Sequence, residues 1–295
     1  MRTKLDIYDI ILYFFYSAFA VMFVIAGYFA VRIYIVDQFV IPTGSMQPTL
    51  IPGDRVIVNK LIAGARIYDE YDFSEGTPMK SHRTRGLREV RHNDIVIFNF
   101  PLNRKRNKIE FELNYVYGKR CVGMPGDSVS IVDGFYRNNN YDGIIGVAEE
   151  QQRLSDRPDS LIRKNVLRSM SPNGAVPRWT IKNFGPLYVP RSGDEIAVTR
   201  YDLNLYKRLI EFETGEAIQV IDGEIFLGNE PIDKYRFSKN YYFCCGDNVL
   251  DSNDSRNWGF VPEEFIVGVV SRITYSRNRE TNEFRWDRLM KCVLK

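Results

Sequence analysis

The sequence predicts a mainly β protein carried behind one membrane-spanning helix. Residues 10–31 form an apolar run without a single charge, while the rest of the chain repeats short β-branched and aromatic segments separated by Pro-Gly-Asp, Asp-Gly and Gly-Asp turns. At 295 residues, with 44% hydrophobic and 14% aromatic content, the chain is long and apolar enough to bury a real core.

The apolar run is the first element. Its 22 residues at about 1.5 Å each reach roughly 33 Å, enough for a hydrocarbon core of about 30 Å. It is too long for a cleavable signal's apolar core, so an uncleaved single-span anchor over residues 10–36 is expected. Arg2 and Lys4 before it favour a cytoplasmic N-terminus over residues 1–9, with the soluble body outside the cytoplasm.

Ile41, Pro42, Thr43, Gly44, Ser45, Met46, Gln47, Pro48, Thr49 and Leu50 follow. The two prolines fix φ and Gly44 admits conformations that a Cβ forbids, so this stretch is a loop, with Ser45 as a candidate nucleophile and the Thr43 hydroxyl as a candidate oxyanion donor. From this stretch alone, a linker turn explains the composition better than catalysis.

Beyond the loop, residues 54–60 read as a strand, and residues 62–93 as a charged surface insertion. Residues 94–100 form a second strand, and a basic loop at 104–108 leads to a third over 115–122. Asp133-Gly134 and Asp222-Gly223 signal hairpins, and residues 195–198 a further short strand. Residues 201–213 read as a helix capped by Asp202 or Asn204. Residues 241–245 are a buried strand, 246–262 an Asp/Asn/Ser-rich loop, 266–275 the strand that closes the sheet, and the basic end through Arg288 and Lys291 a solvated tail.

Composition excludes several chemistries. Forty Lys+Arg against 37 Asp+Glu leaves only +3, spread along the chain, so nucleic acid is not an expected partner. His82 and His92 stand apart from any cysteine pair or acidic helix motif, so neither a metal site nor a cofactor is expected, and a Ser-His-Asp triad would have to draw its base from a charged, insertion-like stretch with no other catalytic signature. Cys121, Cys244, Cys245 and Cys292 show no metal or redox spacing, and four cysteines allow three pairings; Cys244 and Cys245 read as small buried hydrophobes. Lys119 is the remaining base candidate. Val116, Cys121 and Val122 around it predict a buried strand, and burial lowers an ammonium's pKa toward a neutral, proton-accepting amine.

Three separated blocks then converge on one family. They are Ser-Met-x-Pro-Thr-Leu at 45–50, Lys-Arg-x-x-Gly-x-Pro-Gly-Asp at 119–127, and Gly-Asp-Asn with Ser-x-Asp-Ser-Arg-x-Trp-Gly-Phe-Val-Pro across 246–262. In block order and in the preceding anchor, the chain resembles the bacterial type I signal peptidases, or leader peptidases. The resemblance covers anchor and core but not residues 62–93 or about 135–235. It departs at Val249, where relatives carry arginine, and at Gly118, where they carry a β-branched aliphatic residue. Lysine at 119 separates the chain from archaeal and endoplasmic-reticulum relatives, which have histidine there.

The resemblance implies a signal-peptidase-like β fold, with a catalytic core over 37–134 and 236–295 and a smaller cap-like subdomain over 135–235. It implies Ser45 as nucleophile, Lys119 as general base, and the Ser45 N–H with Thr43 as oxyanion hole. Ser252 would orient the amine, Asp254 and Arg256 would brace its loop, and Tyr117 would pack beside the dyad. The implied partners are preproteins with small residues at the first and third positions before the cut, bound as an added strand, and the lipid bilayer. Phe39, Val40, Trp258 and Phe260 are the residues expected to dip into it. The implied location is a bacterial inner membrane with the catalytic side outward.

Two rivals differ in class. Self-cleaving repressors share Ser-Lys chemistry, but they are soluble and carry a DNA-binding module. A membrane-tethered β-rich binding protein descended from a peptidase is the other, and the presence of every candidate catalytic residue argues against it.

Overall fold

The computed structural model describes residues 6–74, 76–164, 170, 172 and 179–294. Helix α1, Ile7–Tyr34, is capped by the Asp6 carboxylate, which accepts from the Ile7 N–H, and none of its residues is buried against the rest of the protein. It is long and apolar enough to cross a membrane. Arg2 and Lys4 lie outside the described residues. The helix end is tied to the body by an Arg32–Asp37 pair at 2.7 Å and by Lys60 Nζ donating to the Arg32 carbonyl at 2.6 Å.

The chain then runs through β1 (Val36–Val40), the Ser45 loop and β2 (Asp54–Asn59). Alternating buried Asp54, Val56 and Val58 on β2 give the period-two pattern of a half-buried strand. Residues 62–93, expected as a charged surface insertion, contain regular structure. They hold the ribbon β3 (Arg66–Tyr68) and β4 (Ser81–Arg83), their flanks bury Ile62, Ala65 and Val90, and Arg83 reaches inward to the Glu263 and Ile266 carbonyls. Of the charged residues in this stretch, Arg66 and Arg83 anchor it to the core, while Glu70, Lys80 and His82 are exposed.

Next come β5 (Ile95–Asn99), the small hairpin β6 (Leu102–Asn103) and β7 (Lys108–Ile109), and β8 (Val116–Gly123). Strands β9 (Ser128–Val132) and β10 (Phe135–Asn138) are joined at Asp133-Gly134, both with positive φ, as the two-residue turn demands. Helix α2 (Ala148–Asp156) leads on to β11 (Phe184–Tyr188), which pairs with β9, so this three-stranded sheet joins residues on both sides of position 135. Strand β12 (Glu195–Ala197) precedes helix α3 (Arg200–Thr214). The cap of α3 is Thr199, not Asp202 or Asn204, with Asp202 completing a capping box one turn in; the hydroxyl one residue before the helix outcompetes the carboxylate. Strands β13 (Ile218–Ile221), β14 (Glu224–Leu227), β15 (Glu230–Pro231) and β16 (Lys234–Arg236) complete this half.

The return to the core brings β17 (Tyr241–Cys245), the one-turn helix α4 (Ser255–Trp258), β18 (Val261–Pro262) and β19 (Ile266–Ser276). The main sheet is antiparallel in the order β1-β2-β19-β5-β8-β17-β18. Strand β19 therefore does not close an edge: it sits between β2 and β5 and holds the two halves of the core together. A larger apolar core covers one region of the fold, and a smaller one, including Ile41, Met46, Leu50, Val56 and Ile97, lies beneath the Ser45 loop.

Three further expectations are corrected. Trp258 and Phe260 are 5% and 2% exposed, packed in the larger core, so of the four candidate lipid contacts only Val40 is exposed and Phe39 is half-buried. The loop over 246–262 contains α4, possible because the Asp254 carboxylate accepts from the Arg256 N–H. The C-terminal end is not a solvated tail, since Arg288 is buried against Asp54. All four cysteines are free, with Cys121, Cys244 and Cys245 buried.

Candidate active site

Ser45 sits at the tip of a loop that the apolar side chains on either side pin down. Met46 and Leu50 are buried beneath it, and Leu50 N–H donates to the Met46 carbonyl at 2.9 Å. The Ile41 N–H donates to the Asp54 carbonyl at 2.8 Å, closing the loop at its base. From the far end of the sequence, Asn248 N–H donates to the Ser45 carbonyl at 3.1 Å and Asn248 Nδ2 to the Gly44 carbonyl at 3.3 Å. The backbone orientation of Ser45 is thus fixed from both sides, and its own N–H has no hydrogen-bond partner among the described residues.

Lys119 lies on β8 and is 3% exposed. Its amine is hydrogen-bonded to the Ser45 hydroxyl. Burial pulls the Lys119 pKa below the ordinary lysine value; the nearby Asp254 carboxylate opposes that shift and the Arg256 guanidinium adds to it. The gap at Gly118 is filled from its partner in register: Ile97 Cδ1 comes within 3.0 Å of the position a Cβ would take.

Asp254 and Arg256 form a fully buried pair with contacts of 2.8 Å, and Asp254 also accepts from the Gly246 N–H at 2.9 Å. Burial penalises the Asp254 carboxylate, but Arg256 outweighs that cost and holds its pKa below the usual range. The Tyr117 ring lies beside Lys119, its centroid 5.7 Å from Nζ; burial and the Tyr115 hydroxyl push its phenol up to about 12. Ser252 is brought close, next to Gly246 and the Ser45 carbonyl, yet its hydroxyl is buried without a hydrogen-bond partner, on Lys119 or elsewhere. Thr43 is exposed at the loop's entrance.

Two framing contacts are missing from the sequence reading. Arg120 is paired through Nε and Nη2 with Asp247, at 2.6 Å each, and donates to the Thr49 hydroxyl at 3.3 Å. Arg288 donates to the Thr49 carbonyl at 2.8 Å. Arg120 is signalled by its place next to Lys119 and Asp247 by its Gly-Asp-Asn block, whereas nothing in the sequence marks Arg288. The histidines take other partners: His92 Nε2 meets Asp127 at 2.7 Å and His82 Nδ1 meets Asp69 at 2.5 Å. Among the described residues no cluster of His, Cys, Asp and Glu is arranged to hold a metal.

The family model for signal peptidase, peptidase S26, matches residues 12–275. The chain belongs to that family. This S26 peptidase is a hydrolase, similar to the signal peptidase I of Buchnera aphidicola subsp. Schizaphis graminum, 26% identical over 287 residues that cover 91% of this chain and 76% of the relative. It is also similar to the signal peptidase I of Pseudomonas aeruginosa PAO1, 26% identical over 262 residues, with 85% of this chain and 68% of the relative covered. A solved signal peptidase I from Enterococcus faecalis V583 aligns with 61% of this chain and 96% of its own, at 19% identity and a TM-score of 0.28. The S26 peptidase places its buried lysine and its loop serine in hydrogen-bond contact.

Proposed function

We propose that this S26 peptidase removes N-terminal signal peptides from secreted preproteins by a Ser-Lys dyad. One observation carries the reading: the amine of a 3%-exposed lysine is hydrogen-bonded to the hydroxyl of Ser45. Burial favours the neutral amine, which takes the Ser45 proton as Oγ attacks the carbonyl before the scissile bond. The tetrahedral oxyanion forms beside the free Ser45 N–H, with the Thr43 hydroxyl as the second donor. Lys119 then gives its proton to the leaving amine, and water releases the acyl group from Ser45 by the same proton path in reverse.

Ser252 limits Lys119 from the side, Asp254 and Arg256 hold the Ser252 loop, and Tyr117 covers the amine. The substrate adds as a strand. Strand β17 pairs with only residues 120–123 of β8, so over 116–119 β8 keeps one edge without a partner strand among the described residues. Helix α1 serves as the anchor that brings the site to the bilayer surface, with the N-terminus cytoplasmic and the catalytic core over 37–134 and 236–295 on the other side. Residues 135–235 act as a cap.

The test is cleavage of a purified preprotein in detergent by wild type, Ser45→Ala and Lys119→Ala, with the new N-terminus mapped by mass spectrometry. The expected result is a cut after a small-x-small motif by wild type and none by either variant. A folded wild type that cuts no preprotein would instead leave a tethered binding protein as the better account.

A further inference from the structure

A groove of about 590 Å³ lies between the tip of the β3–β4 ribbon and the chain from Phe100 to Tyr115, within the range of about 300–1,000 Å³ typical of ligand sites. Phe73, Phe100, Phe111, Leu113 and Tyr115 are among its lining, and Arg104 caps the Phe100 ring at 5.6 Å. Leu113 and Tyr115 are exposed.

The groove continues the candidate active site. Tyr115, Tyr117 and Lys119 follow one another at every second position and share a sheet face. Lys119 lies over the Tyr117 ring, which packs on Phe100 at 4.7 Å and Tyr115 at 5.4 Å, and the two tyrosine hydroxyls are 3.1 Å apart. Four residues of extended chain from Lys119 to Tyr115 span about 13 Å. A peptide lying along the open edge of β8, with its scissile carbonyl at Ser45, puts its fourth residue from the cut at Tyr115 and the next few in the groove.

Which arm of the peptide enters follows from where the groove sits. Its Phe73 and Phe111 rings pack on Tyr68 of β3, at 5.0 and 6.1 Å, and β3 contacts the end of α1. Through Tyr68 and β3 the groove is joined to α1, so it lies on the side from which a peptide held in a membrane would arrive. Resting on the dyad reading above, we infer that this groove binds the residues about four to seven positions before the cut, and that it selects an apolar or aromatic side chain there.

The test uses the full chain in detergent and three peptides sharing one small-x-small cleavage site. One carries Leu at the fifth residue before the cut, one Gly there, and one Leu at the fifth residue after it. Filling an apolar pocket is worth on the order of tenfold in kcat/KM, so the first should be cut about ten times faster than the other two, chiefly through KM. Leu113→Ser, at an exposed position, should cut that preference severalfold with the urea midpoint unchanged, and adding Phe73→Ser should erase it, each variant being compared on the Leu and Gly peptides. Equal rates for all three, or a preference only for the downstream Leu, overturns the inference. A benzophenone side chain at the fifth upstream residue, photolysed with the Ser45→Ala chain, should label residues within 100–115 or Phe73; labelling elsewhere overturns it as well. Cleavage by Ser45→Ala would count against the dyad alone, because the labelling result still locates the upstream residues.

Discussion

Arg288 reaches across 234 residues of sequence to Asp54, its Nε 2.8 Å from Oδ1, while its Nη2 donates to the Thr49 carbonyl at 2.8 Å. Asp54 is fully buried and also accepts from the Ile51 N–H at 2.9 Å, so the last turn of the described chain clamps the base of the Ser45 loop. Arg288→Ala leaves a buried carboxylate without its partner, which typically costs about 3–5 kcal/mol. We expect a urea midpoint lowered accordingly, and a cleavage rate that falls even where the variant is still folded. An unchanged midpoint would sink this account of the clamp.

Lys119 predicts a pH dependence with a definite sign. Burial lowers its folded pKa, so between that value and the unfolded value of about 10.4 the unfolded chain binds more protons than the folded one. Stability contributed at this site therefore rises with pH across that window and is constant above it. Activity, needing the neutral amine, rises as pH climbs through the lowered value. Lys119→Met should reduce kcat/KM by at least about 10²–10⁴-fold and flatten this part of the stability profile without lowering stability at neutral pH. Urea midpoints measured from pH 6 to 10 decide it; an unaltered slope in the variant removes the case.

Asp254 and Arg256 are both fully buried, and each is the other's ion-pair partner at that depth. Arg256→Ala should cost about 3–5 kcal/mol, whereas Asp254→Asn with Arg256→Met should cost much less, because no isolated charge remains. The single variant also leaves Asp254 facing Lys119 unopposed, which raises the lysine's pKa and shifts the activity profile toward alkaline pH. A double variant as unstable as the single one would contradict this.

Gly246 and Ser252 test the wall behind the dyad. A Cβ at 246 would stand 2.4 Å from the Ser45 carbonyl and 2.2 Å from Ser252 Oγ, so Gly246→Ala must displace backbone that orients the serine. We expect at least a hundredfold loss in kcat, the scale of losing one well-placed catalytic donor. Ser252→Ala removes a buried hydroxyl that has no partner, so its stability should be unchanged or slightly higher while activity falls. If Ser252→Ala kept full activity, the hydroxyl would have no role in positioning the amine.

The legible parts of the chain are those where chemistry is local. A charge-free apolar run of 22 residues favours a membrane-crossing helix, and Asp-Gly between β-prone segments favours a tight turn, so α1 and the β9–β10 and β13–β14 hairpins are legible. The cap of α3 was misplaced because Thr199 and Asp202 compete for the same role, and only the geometry of the turn separates them. Trp258 and Phe260 looked like surface aromatics because they follow a polar loop; the β core closes over them.

Residue identity alone determined that the chain has one candidate nucleophile in a Pro/Gly loop, one candidate base in a strand with apolar residues, and no metal pattern, because these depend on side-chain chemistry and near neighbours. Tertiary structure decided the rest: that Lys119 meets Ser45, that Asn248 and Arg288 hold the loop, and that aromatic side chains from residues 73, 100, 111 and 115 line one groove. Those contacts join residues tens to hundreds of positions apart, and their energies come from burial and desolvation, which no stretch of sequence carries by itself.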